Sequence, residues 1–219
     1  MMTVRRMLYS AILSLVTCVF LIGISSAPSL SNPVAEWLNG ESAASSSQMP
    51  QPIADLSAIE PYLMANLREA DSALMAQGAS AGSFTRYVAV LTKNDVVPST
   101  PATSAFGAAG AVLVGDRLIL RGDFSNLSSA LRDFATDPVT PPNPNVNSGI
   151  HIHQGEPNAN GPFQYALEVS PTDETSGRFA GDYTLTNEQL EQLSSGKLYV
   201  DIHTKKNRGG ELRGILQPY

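Results

Sequence analysis

The chain has 219 residues, enough for one well-filled domain of about 130 to 150 residues with appendages, but not for two full cores. Its 14 basic and 20 acidic side chains leave a net charge of -6, and without a long basic run this excludes a phosphate-backbone surface, so no nucleic-acid partner is expected. Charged residues make up only 16%, and plentiful Gly, Pro, Ser, Thr and Asn suit a turn-rich all-β domain better than a helical bundle.

Arg5 and Arg6 lead into an apolar run from Met7 to Ile24, which ends in the small residues Ser25, Ser26 and Ala27. Residues 1–27 therefore read as a secretory signal peptide, with Ala27 and Ser31 as candidate cleavage positions. A run of about eighteen residues also reaches the lower end of what spans a bilayer, so a membrane anchor over residues 7–24 stays open as the alternative. Either way the rest of the chain is expected outside the cytoplasm, periplasmic or secreted, with the membrane touched only through this segment. The single cysteine, Cys18, lies in the same run, so the remainder carries neither a disulfide framework nor a thiolate zinc site.

Residues 28–54, rich in Ser, Ala and Pro and holding the only tryptophan, Trp37, read as a flexible linker. A helix is predicted within residues 55–78. Ser57 and Glu60 have capping-box spacing, Pro61 falls in the first turn, and Gly78 supplies the stop. Leu56, Ile59, Leu63, Leu67, Ala70 and Leu74 recur every three or four residues, giving about five amphipathic turns whose apolar stripe is expected to pack on the chain's own domain, with a partner or membrane surface as the alternative.

From Phe84 the period changes to two. Strands are predicted over 85–91, 111–114 and 117–120, the last two joined at Gly115-Asp116, a two-residue hairpin signal. Pro138, Pro141, Pro142 and Pro144 remove ladder donors and make 138–147 a loop. Further strands are predicted over 148–153, 163–169, 178–185, 197–204 and 211–216, with a short helix opened by Thr186. Residues 83–219 thus form one domain: an all-β Greek-key β-sandwich or flattened barrel of eight short strands, preceded by one amphipathic helix.

All three histidines lie in two strand-like segments, His151-Ile152-His153 and Tyr199-Val200-Asp201-Ile202-His203-Thr204. Strand alternation sends Ile150 and Ile152 to the core and His151 and His153 to the opposite face, outward or into a pocket under the Pro/Asn loops. Tyr199, Asp201 and His203 share one face in the same way. If the two strands are neighbours, three imidazoles and a carboxylate converge. Imidazole is the commonest metal ligand, so His151, His153 and His203 are a candidate set for copper, with zinc the weaker fit, and Asp201 is placed to fix a tautomer from behind. The alternative is that the rings hydrogen-bond loop carbonyls and order the turns.

Glu211 and Arg213, in Gly209-Gly210-Glu211-Leu212-Arg213-Gly214, lie on one strand face and pair with each other or with a neighbouring strand, as a partly buried ion pair beside a glycine bulge or as a binding pair for an anion or a partner carboxylate. No G-x-S-x-G elbow, H-E-x-x-H pair, P-loop or dinucleotide fingerprint occurs, and Asp173, Glu174 and Asp182 lack the spacing of a calcium loop.

Taken in order, His151-Ile-His153, Asn160-Gly161-Pro162, Gly181-x-Tyr183-x-Leu185-Thr186, Leu193-x-x-Gly196-x-x-Tyr199-Val200-Asp201-Ile202-His203-Thr204 and Gly210-Glu211-Leu212-Arg213-Gly214 resemble a CHRD domain, the chordin-type module of bacterial exported proteins. That resemblance covers roughly residues 83–217 and implies an extracytoplasmic β-sandwich module. His-Ile-His-Gln-Gly-Glu, the later Val-Asp-Ile-His and the closing Gly-Gly-x-x-Arg-Gly are also similar to the copper-ligand and C-terminal arginine strands of copper–zinc superoxide dismutases. This second likeness implies copper on His151, His153 and His203, an Arg213 that attracts an anion, and a dismutase-like sandwich as an alternative to an immunoglobulin-like one. The chain departs from that pattern: it has no fourth histidine to bridge two metals, none further for zinc, and no disulfide cysteine.

The function expected from these residues is that of an exported, non-catalytic binding or envelope-structural module, whose partner is a protein or envelope component. The alternative is a mononuclear copper protein with redox or metal-handling chemistry at the three histidines.

Overall fold

The computed structural model describes residues 56–77 and 84–219; the expected signal segment, the linker and Gly78 lie outside the described residues. Among these are ten strands in two antiparallel sheets. β1 (Thr85–Leu91), β2 (Phe106–Val114) and β3 (Arg117–Ser125) are joined by β6 (Glu168–Pro171), β7 (Gly177–Thr184) and β10 (Gln217–Pro218) in a six-stranded sheet of order β10-β1-β2-β3-β7-β6. β4 (Ile150–Gln154), β5 (Phe163–Ala166), β8 (Leu198–Ile202) and β9 (Leu212–Ile215) form a four-stranded sheet of order β5-β4-β8-β9. β3 pairs with β7 and β4 with β8 across intervening strands, the Greek-key crossover of an all-β sandwich.

The period-two pattern explains the core. Leu118 and Leu120 from one sheet meet Ile150, Ile152, Val200 and Ile202 from the other, all fully buried. β2 and β3 meet at the expected two-residue turn, where Gly115 adopts φ +60.

Helix α1 (Glu60–Ala76) lies on the outer face of the six-stranded sheet, where Leu67, Ala70 and Leu74 pack on Val112 and Ile119. It begins differently from expectation: a 3-10 turn over Leu56–Ala58 precedes it, the N-cap is Ile59 without a side-chain cap, and Pro61 sits in the first turn, where its missing N–H costs nothing. Gly110 permits the close approach, since a Cβ there would stand 2.4 Å from Leu67 N.

Helix α2 (Asn187–Ser194) does carry a capping box, between Thr186 and Gln189. The expected strand over 163–169 is two strands in different sheets. Buried Leu167 makes the crossing: its N–H donates to Ile150 O at 2.9 Å, and Glu168 then pairs with Ala180 of β7. The last run likewise ends in β10, which pairs with β1 and brings the count to ten.

Candidate metal centre

β4 and β8 are direct neighbours, with Ile150 opposite Ile202, His151 opposite Asp201 and His153 opposite Tyr199. Because the isoleucines and Val200 fill the sandwich interior, the alternate residues stand on the outer face of the four-stranded sheet. His203 follows β8 and is held by its own N–H, which donates to Gly149 O at 2.8 Å. One ligating nitrogen from each of His151, His153 and His203 lies within 4.8 Å of the other two. Donors sharing an ion at about 2.0–2.1 Å stand roughly 3.3–3.6 Å apart, so sub-ångström ring movements close the set.

His151 and His203 do not face solvent, being 2% and 9% exposed, because loop residues fold over this face; His153 is half-buried. Phe134 lies 5.1 Å from the His151 ring and 6.2 Å from His203, and Phe163 of β5 lies 5.2 Å from His151. Arg132 stacks on Phe134, its guanidinium carbon 4.3 Å from the ring centroid.

Each ring has one nitrogen committed to a backbone carbonyl. His153 Nδ1 faces Gly161 O at 3.1 Å, His203 Nδ1 faces Arg208 O at 3.1 Å, and His151 Nε2 faces Ser148 O. A carbonyl only accepts, so each of these nitrogens carries hydrogen and donates, which leaves a lone pair on His151 Nδ1, His153 Nε2 and His203 Nε2. His153 Nε2 and His203 Nε2 are buried without any hydrogen-bond partner; among the described residues only Asp71 Oδ1 shares that condition. Leaving such an atom unsatisfied costs about 1–3 kcal/mol, and an ion would satisfy both at once.

Burial is the main cause holding all three rings neutral. It pushes His151 down to about 3, with repulsion from the other two rings adding to it, and His203 down to about 4 against the pull of Asp201. His153 is lowered too, chiefly by burial. Neutral imidazole is the ligating form, so protons do not compete for these sites near neutrality.

Of the other sequence-predicted residues, Arg213 forms the buried ion pair with a neighbouring strand that was one of the expected arrangements, while Asp201 and Glu211 have different partners from those expected. Asp201 does not set a histidine tautomer, because three backbone carbonyls do so and its carboxylate is taken by Arg213. Arg213 Nε donates to Asp201 Oδ1 and Nη2 to Oδ2, both at 2.7 Å, the two residues standing opposite each other on β8 and β9. Arg213 is 1% exposed, also donates to Ala159 O at 3.0 Å and Asn160 Oδ1 at 2.7 Å, and stacks 4.1 Å from the centre of the Tyr199 ring. Its donors are thus spent on holding the 155–162 loop, and it offers no open face to an anion. Burial opposes that ion pair, yet the Asp201 hydrogen bonds and charge hold Arg213 above its ordinary value.

Glu211 does not pair with Arg213. Fully buried, it accepts from Thr103 Oγ1 at 2.6 Å, Ser128 N at 2.7 Å, Ser128 Oγ at 2.8 Å, Thr204 Oγ1 at 2.6 Å and Asn207 Nδ2 at 2.9 Å. Burial alone would raise its pKa, but these hydrogen bonds outweigh it and keep the carboxylate below its usual range.

Of the two placements expected for the histidines, the structure shows the pocket under loops, but sequence reasoning missed the residues that close it. Phe134, Phe163 and Arg132 carried no motif, although an aromatic in the polar segment before the proline loop is a signal that something there is buried. Gly161 is required by space: a Cβ would stand 1.9 Å from Gln154 O. A cavity of about 600 Å³ lies on another side of Ser148, lined by Arg121, Glu168, Asp182 and Tyr183 among others, and none of the three histidines borders it.

A family model described as the CHRD domain matches residues 87–216. No curated protein and no solved structure matches the chain.

Proposed function

The chain belongs to the CHRD domain family, and from that premise we propose that it is an exported, non-catalytic module whose sandwich holds one first-row transition-metal ion, copper in preference to zinc, on His151, His153 and His203. The observation that carries this reading is the pair of buried, partnerless nitrogens, His153 Nε2 and His203 Nε2, beside a third ring whose remaining lone pair is on Nδ1. A set of rings serving only to order turns needs one hydrogen bond each and has no reason to stand this close together with two nitrogens buried and without a partner. Metal holding, not turnover, fits a site roofed by Phe134 and flanked by an Arg213 with no free donor edge.

Titration of purified protein lacking residues 1–27 with Cu(II), Cu(I) and Zn(II), beside a His151→Ala/His153→Ala variant, tests this. Stoichiometric binding that vanishes in the variant supports it, and equal binding by both proteins sinks it. Export is supported by the Arg5-Arg6 and Met7 to Ile24 pattern. Mass analysis of the N-terminus of protein recovered from the cell exterior or periplasm separates cleavage after Ala27 or Ser31 from a retained anchor over residues 7–24, and protein found only in the cytoplasm contradicts export.

A further inference from the structure

Three features of the histidine pocket bear on which ion it takes, and this inference rests on the metal reading above. First, the donor set is neutral: among the described residues the cluster contains three imidazoles and no carboxylate or thiolate. Second, each nearby carboxylate is already taken by arginine. Asp201 is neutralised by Arg213 at 2.7 Å, and Asp137, which faces the Arg132 beside Phe134 at 2.9 Å, is also bonded to Arg208. No anion is left over to offset the charge of an ion. Third, the walls are aromatic, with Phe134 and Phe163 on His151 and Tyr199 stacked on His153 at 5.5 Å.

The cost of placing an ion in such a low-dielectric pocket grows with the square of its charge, so a dication with neutral ligands pays several times what a monocation does. Zn(II) in a three-ligand site takes a fourth ligand, commonly water, and Cu(II) prefers a tetragonal set with further ligands. The phenyl rings of Phe134 and Phe163, 5.1 and 5.2 Å from the His151 ring, line the pocket with side chains that supply no such ligand. A closed-shell monocation with three nitrogens needs neither the extra ligands nor the extra anion.

We infer that the site takes Cu(I), held three-coordinate by His151 Nδ1, His153 Nε2 and His203 Nε2, and that the Phe134 roof is what discriminates against Cu(II) and Zn(II). Arg132 and Asp137 position that roof without touching the ion.

The test is anaerobic competition. Purified protein lacking residues 1–27 is loaded with one equivalent of Cu(I) in the presence of a colorimetric Cu(I) chelator, then challenged with Zn(II), and separately equilibrated with Cu(II) against an amino-acid chelator. The expected result is Cu(I) at one per chain, retained against about a hundredfold excess of Zn(II), with Cu(II) bound at least about a hundredfold more weakly, as the charge and ligand-number arguments require. Cu(II) or Zn(II) held as tightly as Cu(I) overturns the cuprous assignment while leaving the metal site standing. No ion held more tightly by wild type than by His151→Ala/His153→Ala overturns both.

Phe134→Ala and the milder Phe134→Leu, each confirmed folded by circular dichroism, separate the roof from the ligands. Discrimination that falls in Phe134→Ala and is largely kept in Phe134→Leu supports the roof. Unchanged discrimination in Phe134→Ala overturns its role.

Discussion

On the outer face of the four-stranded sheet, a single ion pair organises much of the rest. Arg213 and Asp201 are buried together, and Arg213 reaches through Ala159 O and Asn160 Oδ1 to clamp the loop whose Gly161 O fixes the His153 ring. Removing one member leaves the other charge uncompensated, so Arg213→Met is expected to cost about 3–5 kcal/mol in chemical denaturation, and the Asp201→Asn/Arg213→Met pair much less than the sum of the singles. Gly161→Ala is a sharper probe of the centre. Its Cβ collides with Gln154 O, so the loop must lift and His153 loses its carbonyl. Metal affinity is expected to fall about 10–100-fold with the circular dichroism spectrum retained, as for other residues that orient a ligand from behind. Unchanged affinity would show that the carbonyl does not orient the ring.

The histidine convergence was readable from strand parity and from the presence of only three histidines. The Asp201–Arg213 pairing was not, because parity places Glu211 and Arg213 on one face without saying which residue of β8 stands opposite either. Register decides it, and register is set by the β8–β9 ladder.

Helix α1 is held on the opposite side of the sandwich by contacts that the pattern showed and by one that it did not. The Leu67, Ala70 and Leu74 stripe was visible as a period near 3.6. Hidden from it was Asn66, a polar residue on the buried face, whose Nδ2 donates to Ala108 O at 3.2 Å and to Asp123 Oδ2 at 2.9 Å. Burial under the helix pushes Asp123 up to about 6, against the lowering effects of Asn66 and Arg178. The native carboxyl therefore takes up its proton at a higher pH than the unfolded one, near 3.9. Its contribution to stability is full below about pH 4 and is lost as pH rises through about 6.

Asp123→Asn, which keeps the acceptor for Asn66, is accordingly expected to stabilise the protein at pH 7.5 by on the order of 2 kcal/mol, a gain that disappears below about pH 4. Thermal melts of both proteins across that range check it, and a pH-independent difference contradicts it. Gly110→Ala tests the helix contact alone. A Cβ that would stand 2.4 Å from Leu67 N forces the helix outward, for an expected loss of about 1–3 kcal/mol with metal affinity unchanged, because the histidines stand on the other sheet.

As a whole, the described domain is layered: helix, six-stranded sheet, four-stranded sheet, and a cover of loops. The helix and the strands could be read from period and from turns such as Gly115-Asp116, but not the division of the strands between two sheets, and the N-cap of α1 is Ile59 where Ser57 was expected. The loop cover could not be read, because 126–149 and 155–162 have no period, and what fixes them is long-range: Glu211 gathering Thr103, Ser128, Thr204 and Asn207, and Arg213 gathering Ala159 and Asn160. The family signature gains a physical meaning from this. Val200, Ile202 and Leu212 fill the sandwich core, while Tyr199, Asp201, His203 and Arg213 build the covered outer face and Thr204 and Glu211 tie down its loops. No described helix is long and apolar enough to cross a membrane, and residues 7–24 lie outside the described part.

Everything proposed for the three histidines depends on the covered face holding an ion. The most direct test is a crystal structure of copper-loaded protein with anomalous diffraction recorded on both sides of the copper edge. One copper peak per chain is expected, within about 2.2 Å of His151 Nδ1, His153 Nε2 and His203 Nε2. A peak on other residues, or none at the three rings while they keep their separation, would contradict it.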